Sequence, residues 1–178
     1  MFKNFGKNGT TLIEILVAIS IFSVVATSVT NLFASLINYQ NEILNKAYLL
    51  NTISFANEYM AKALRMAQKD TTGSCITAGY NFITTGGSNV KFLNYNNECQ
   101  EFFLESGTLK VRKLGVSQAL TPGNVNIENL KFILSGESQN DNLQPKVSFT
   151  LKVKMVSNPQ QNLSTQTTVS QRMLDIYY

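Results

Sequence analysis

Lys7-Asn8-Gly9-Thr10-Thr11-Leu12-Ile13-Glu14, followed by residues 15–41 without a single charged side chain, is the stretch that decides how this chain folds. Within it, residues 12–37, LIEILVAISIFSVVATSVTNLFASLI, are nearly all apolar or small. At a rise of 1.5 Å each, about 26 helical positions cover the roughly 30 Å hydrocarbon core of a bilayer with some tilt. One acid, Glu14, sits at the mouth of this helix, just after a short leader carrying Lys3 and Lys7. A carboxylate at the centre of a membrane helix costs about 2.5–3.5 kcal/mol on insertion scales, so ionisable groups in such segments usually have a role.

Three readings compete for this segment. A cleaved secretory signal has an apolar core of only about 7–15 residues, shorter than this run, although Val24-Val25-Ala26 resembles a weak cleavage site. A plain uncleaved signal anchor accounts for the length and leaves Glu14 unexplained. The third reading accounts for both. Lys3 and Lys7 hold the leader in the cytoplasm by the positive-inside bias, so everything after the helix is exported. A cut after Gly9 frees an amine on Thr10, with Glu14 four residues on. On one continuing helix those groups share a face, about 6 Å apart along the axis. Glu14 in the first turn also suits the helix macrodipole. The pair is placed for charge exchange between neighbouring subunits, where each buried charge needs a partner.

Gly9-Thr10-Thr11-Leu12-Ile13-Glu14 before a long apolar helix resembles the class III leader of type IV pilins and type II secretion pseudopilins. The resemblance implies cleavage between Gly9 and Thr10 by a membrane prepilin peptidase and methylation of the new amino terminus at Thr10. It also implies assembly through Glu14, which meets the terminal amine of a neighbouring subunit. One position departs from the family pattern: Thr10 stands where Phe or Met is usual. Two later stretches, Leu120-Thr121-Pro122-Gly123-Asn124-Val125-Asn126-Ile127-Glu128-Asn129-Leu130-Lys131-Phe132 and Gln144-Pro145-Lys146-Val147, are similar to the sheet region of J-type minor pseudopilins and W-type minor pilins. Such minor subunits sit at a filament tip and prime assembly. The implied partners are other pilin or pseudopilin subunits, the peptidase and an inner-membrane assembly platform. The implied location is the cytoplasmic membrane, crossed once, and then an extracellular or periplasmic filament.

The length of 178 residues fits one modest domain plus this anchor. The net charge of +4 falls to +2 without Lys3 and Lys7, and no Lys/Arg run occurs, so a nucleic-acid footprint is not evident. Histidine is absent, which removes Ser-His and Cys-His nucleophile systems and any His-based zinc site. Two cysteines alone do not complete a Cys₄ zinc centre. A carboxylate-only or lysine-based enzyme stays open, but no constellation points to one, so no metal site, no cofactor and no enzyme activity is expected.

The helical pattern continues past the membrane run. Leu49, Ile53, Ala56, Met60, Ala63 and Ala67 recur at spacings of 4 and 3, one buried stripe on a helix. Glu58, Lys62, Arg65 and Lys69 fill the opposite side. No Pro or Gly interrupts residues 10–72, so one helix is expected up to Gly73. Its membrane half would span 10–37 and its amphipathic half 38–72, after a leader at 1–9 and before a globular domain at 73–178. A loop-rich region follows, in which Thr71-Thr72-Gly73-Ser74 and Gly86-Gly87-Ser88 are turn chemistry rather than phosphate cradles.

Strand signals then dominate. Phe102 to Leu104 and Leu109 to Arg112 flank Glu105-Ser106-Gly107-Thr108 as a hairpin. Val125 to Leu134 offers one or two short strands, and residues 163–176 a last candidate. Val147, Phe149, Leu151, Val153 and Met155 alternate with polar residues as a half-buried antiparallel strand. All strands follow the helix, so the expected class is α+β, a long N-terminal helix packed on a C-terminal antiparallel β-sheet domain.

Cys75 and Cys99 lie on the exported side, where a disulfide is expected and two free thiols are the alternative. Asn140-Asp141-Asn142 has oxygens that suit calcium, with an ordinary turn as the plainer reading. Two rival functions remain. In a DNA-uptake pilin, Lys146, Lys152 and Lys154 on one strand face would be the patch that meets nucleic acid. In a signal-anchored exported binding domain unrelated to pili, Glu14 would be dispensable.

Overall fold

A computed structural model describes residues 9–137 and 143–173. The leader lysines, Asn140-Asp141-Asn142 and the end of the last strand candidate lie outside the described residues. The chain divides into two compact units, residues 1–44 and 45–178. The helix α1, Leu12–Arg65, contributes to both.

In the first unit α1 is apolar on every side. Leu12 is 81% exposed, Phe22 72% and Phe33 63%. By length and composition such a helix is long and apolar enough to cross a membrane. Its hydroxyls are dealt with locally. Ser20 donates to the carbonyl of Leu16, Ser23 to Ile19, Thr30 to Ala26 and Ser35 to Asn31, at 2.8–3.0 Å. Such back-bonding gives each hydroxyl a partner that lipid does not supply.

The second unit is α+β, as expected. Strands β1 (Phe82–Ile83), β2 (Asn89–Leu93), β3 (Cys99–Glu105), β4 (Thr108–Lys113) and β5 (Val116–Ala119) form one antiparallel sheet in chain order. Strands β6 (Val125–Ser135), β7 (Lys146–Met155) and β8 (Asn162–Ser170) form a second. Two sheets thus replace the single one expected. The break falls at Leu120–Asn124, where Pro122 and Gly123 turn the chain. Beyond it, β6 meets the first sheet mainly at its turns: Ile127 N–H donates to the Gly107 carbonyl at 2.7 Å and Phe132 N–H to that of Gly87 at 2.6 Å.

The β3–β4 hairpin closes through Ser106-Gly107, both with positive φ, in register Glu105↔Thr108. Two residues of that geometry make the tight turn whose twist suits flanking strands. The alternating strand is β7, buried at Val147, Phe149, Leu151, Val153 and Met155. Val125 to Leu134 lies in one strand, β6, with a register shift between Ile127 and Asn129. The region read as loops holds β1 and β2, whose Phe82, Val90 and Phe92 are buried.

Two expectations about the helix are corrected. Its buried stripe is Leu49, Ile53, Ala56, Met60 and Leu64, continued by Ala67 beyond its end, with Ala63 only partly buried. Leucine fills the space under the sheets better than alanine, and a 4-residue step keeps it on the same face. The helix also ends at Arg65, well before Gly73. The segment after it pairs with the sheet instead: Gln68 N–H donates to the Leu93 carbonyl at 2.9 Å and Asp70 N–H to that of Tyr80 at 3.0 Å. The helix-end carbonyls are satisfied from elsewhere, Arg65 by Arg172 N–H at 2.8 Å and Ala67 by Gln171 Nε2 at 2.8 Å. Orphan carbonyls at a helix end need such partners when they are buried.

Candidate assembly site at the start of the helix

Gly9, Thr10 and Thr11 precede the first helical residue and are exposed. A Cβ added at Gly9 would meet nothing within 4 Å, so the Gly9–Thr10 peptide lies in open space. The helix therefore begins at Leu12, two residues later than a Thr10 start would have it.

Thr11 is the reason. Its carbonyl accepts from Glu14 N–H at 3.1 Å and from Ile15 N–H at 3.3 Å. The Glu14 carboxylate reaches back to Thr11, accepting from its N–H at 3.3 Å and its hydroxyl at 3.4 Å. The carboxylate reaching back to the Thr11 N–H is one half of a capping box, with Thr11 as N-cap and Glu14 at the third helical position; the Thr11 hydroxyl donates to the same carboxylate instead of accepting from Glu14 N–H. The sequence placed Glu14 on one face with Thr10; the structure joins it to Thr11. The pattern Thr11-Leu12-Ile13-Glu14 carried that signal, since Ser/Thr followed three residues on by Glu marks a helix start.

The remaining expected site residues lie in the second unit. Cys75 and Cys99 are joined by a disulfide, Cα–Cα 5.1 Å, and neither thiol is free. Beside it stands a residue that the sequence reading missed. Asp70 is fully buried at the head of the Thr71–Ser74 turn. Its Oδ1 accepts from the N–H groups of Thr72, Gly73 and Ser74, and its Oδ2 from those of Cys75 and Ile76, at 2.7–3.2 Å. Burial alone would raise the carboxyl's pKa; the backbone donors at Ile76, Cys75, Gly73 and Ser74 outweigh it and hold the group well below the usual carboxylate range. Asp followed by Thr-Thr-Gly-Ser was the available clue, because Asp side chains bond the backbone two residues on.

Lys146, Lys152 and Lys154 share one face of β7, as the sequence suggested. The bulge in β6 aims Glu128 between two of them, with Lys152 Nζ at 3.0 Å and Lys154 Nζ at 2.8 Å. Among the described residues no cluster of His, Cys, Asp or Glu is arranged to hold a metal ion.

The geometry defines a class: a helix long and apolar enough to cross a membrane, with a mean hydropathy of 2.3 over its most apolar 18 residues, leading into an α+β unit. Residues 5–30 match the prokaryotic N-terminal methylation motif. That match indicates a type IV pilin-like substrate of prepilin peptidase, and with the apolar helix it points to membrane anchoring. No curated protein matches the chain, and no solved structure does.

Proposed function

We propose that the chain is a minor pilin or pseudopilin, cut between Gly9 and Thr10, anchored by α1 and built into a type IV pilus or type II secretion-like filament. The observation that carries this reading is the Glu14 carboxylate turned back onto Thr11 at the helix start, behind an exposed, non-helical Gly9–Thr10 peptide. A peptidase needs extended, accessible backbone, and the helix start leaves it free. Among the described residues Glu14 is held by contacts of 3.3–3.4 Å to a neutral amide and a hydroxyl. A charged amine from an adjacent subunit makes a shorter, charge-assisted bond and displaces them. The methylation motif supports the same reading, with Thr10 as the residue to be methylated after the cut. Pilin-motif proteins are structural, and the role proposed here is assembly at a filament tip in company with other subunits and a membrane platform.

Two measurements test it. Intact-mass analysis of the chain from its native membrane is expected to show a mature form that starts at Thr10 and carries one methyl group. An amino terminus at Met1 rejects the processing. Glu14→Ala is expected to insert and be cut normally but to co-purify poorly with partner pilins; unchanged co-assembly rejects the role of Glu14. A signal-anchored domain unrelated to pili would behave in that second way.

A further inference from the structure

Strand β8, Asn162–Ser170, is the last of its sheet and pairs on one side only, with β7. The two ends of that ladder tell which backbone groups point which way. Gln171 N–H donates to the Pro145 carbonyl at 3.0 Å, and the Gln161 carbonyl accepts from Met155 N–H at 3.1 Å, both in the register of the β7–β8 pair. Hydrogen-bonded and non-bonded positions alternate along an antiparallel ladder, so the odd-numbered residues of β8 direct their backbone groups at β7. Asn162, Ser164, Gln166, Thr168 and Ser170 turn their N–H and C=O groups away from it, where no backbone or side-chain partner meets them among the described residues. The open run stops at Arg172, whose N–H is taken by the Arg65 carbonyl of α1. The other sheet edges are shorter or closed: β1 has two residues and β5 four, while β6 gives N–H groups to Gly107 and Gly87.

Natural proteins blunt a long edge with charge, proline or a bulge. Asn162-Leu163-Ser164-Thr165-Gln166-Thr167-Thr168-Val169-Ser170 has no charged residue, no proline and no register shift against β7. The segment is also nearly a palindrome about Gln166. Turned antiparallel on itself, it sets Leu163 against Val169, Ser164 against Thr168, Thr165 against Thr167 and Gln166 against its own copy. The parity agrees, since every outward even-numbered position then faces another, as a hydrogen-bonded pair requires. With no charge on the strand, two copies bring no like charges opposite each other. We propose that β8 binds the β8 of a second copy of this chain, antiparallel and centred on Gln166, which joins two three-stranded sheets edge to edge. The two-fold axis of such a pair stands normal to the sheet. It therefore reverses residues 45–65 of α1, whose buried stripe shares the core with β7. Subunits of one filament all point the same way, so within the role proposed above the contact joins two filaments and not neighbours in one. That last step rests on the filament reading; the pairing of β8 does not.

The test uses the full chain in detergent at about 0.1 mM, where small transient interfaces associate. The native cysteines are joined to each other, so an introduced thiol is the free one. Ser164, Gln166 and Thr168 are exposed, and replacing them leaves the core intact. Gln166→Cys is expected to form a disulfide-linked dimer on mild oxidation, because residues directly opposite lie within the Cα spacing that a disulfide spans. Ser164→Cys alone is expected to stay monomeric, its two copies being about 14 Å apart, whereas an equimolar mixture with Thr168→Cys cross-links. Adding Gln166→Lys to both members of that mixture sets like charges opposite each other and is expected to cut the cross-linked yield about fivefold. A monomeric Gln166→Cys, a Ser164→Cys that cross-links as readily, or a mixture indifferent to Gln166→Lys overturns the proposal. A chain that keeps Met1 as its amino terminus is expected to dimerise in the same way, so failure of the filament reading shows separately.

Discussion

Asp70 organises more backbone than any other side chain described in the second unit. Five consecutive N–H groups, from Thr72 to Ile76, converge on its two oxygens, and the Thr72 hydroxyl adds a sixth contact at 3.2 Å. Asn at this position keeps one acceptor and turns an NH₂ toward donors, which leaves buried N–H groups unmet. Asp70→Asn is expected to lower stability by about 3 kcal/mol, read from urea unfolding by circular dichroism. The pH dependence has a definite sign. The folded carboxyl lies below the usual range and the unfolded one near its ordinary value of about 3.9, so the stabilisation is complete above about pH 5 and drains away as pH falls. The gap between wild type and Asp70→Asn is therefore expected to narrow from about pH 5 to pH 2, and a constant gap would contradict it. At this scale the sequence was partly legible. Glu14 announced itself by standing alone among apolar residues, whereas Asp70 looked like one more surface acid in a turn. Its six partners are mostly backbone groups, which no side-chain pattern reveals.

Among the elements, α1 was legible in kind and less so in its limits. The absence of Pro and Gly over 10–72 permits a helix throughout, but permission does not decide where tertiary pairing takes over. At the start Thr11 captures the N-cap; at the end Gln68 and Asp70 are claimed by the sheet. The stripe was misread by one position for a related reason. Ala63 and Leu64 both fit a helical period, and only the depth of the space beneath them tells which one enters the core. Leu64 is fully buried and belongs to the central cluster; Ala63 packs at its margin. Leu64→Ala is expected to cost about 3 kcal/mol, in the usual range of 2–5 for such truncations, and Ala63→Ser to cost well under 1. Urea unfolding of the two variants side by side checks this, and equal effects would place the stripe where the sequence alone put it. The β3–β4 hairpin and β7 were read correctly because turn chemistry and strict alternation are local signals. Strands β1 and β2 were missed because they are short and set among Gly and Asn, and because Phe82 and Phe92 are buried in a core cluster, with Phe92 against Phe102 of β3, that only the fold assembles.

For the molecule as a whole, the division into an apolar helical unit and an α+β unit follows from the uneven spread of apolar residues along the chain. The split into two sheets does not, because it depends on which strands meet across the Pro122-Gly123 turn. That arrangement bears on the nucleic-acid reading. Counted along the strand, Lys146, Lys152 and Lys154 form a basic face. In the fold, Glu128 from the neighbouring strand bridges the second and third, and Lys154 first, then Lys152, holds its carboxyl below the usual range. A depressed carboxyl stays ionised at every pH down to the acid side of its ordinary value of about 4.3, so this neutralisation persists under physiological conditions. One carboxylate cancels one of the three lysine charges, so the face keeps a net charge of about +2, fewer cations than the roughly 6–10 phosphate contacts of firm DNA binding call for. The full chain in detergent is expected to give no retardation of duplex DNA at about 0.15 M salt. Glu128→Gln removes the bridging anion and exposes both lysines together. Any binding it gains is expected to fall with salt at a slope of about −2, the value for two phosphate contacts. Strong wild-type retardation that weakens steeply as salt rises would show that another surface supplies the charge, and it would move the chain toward DNA uptake.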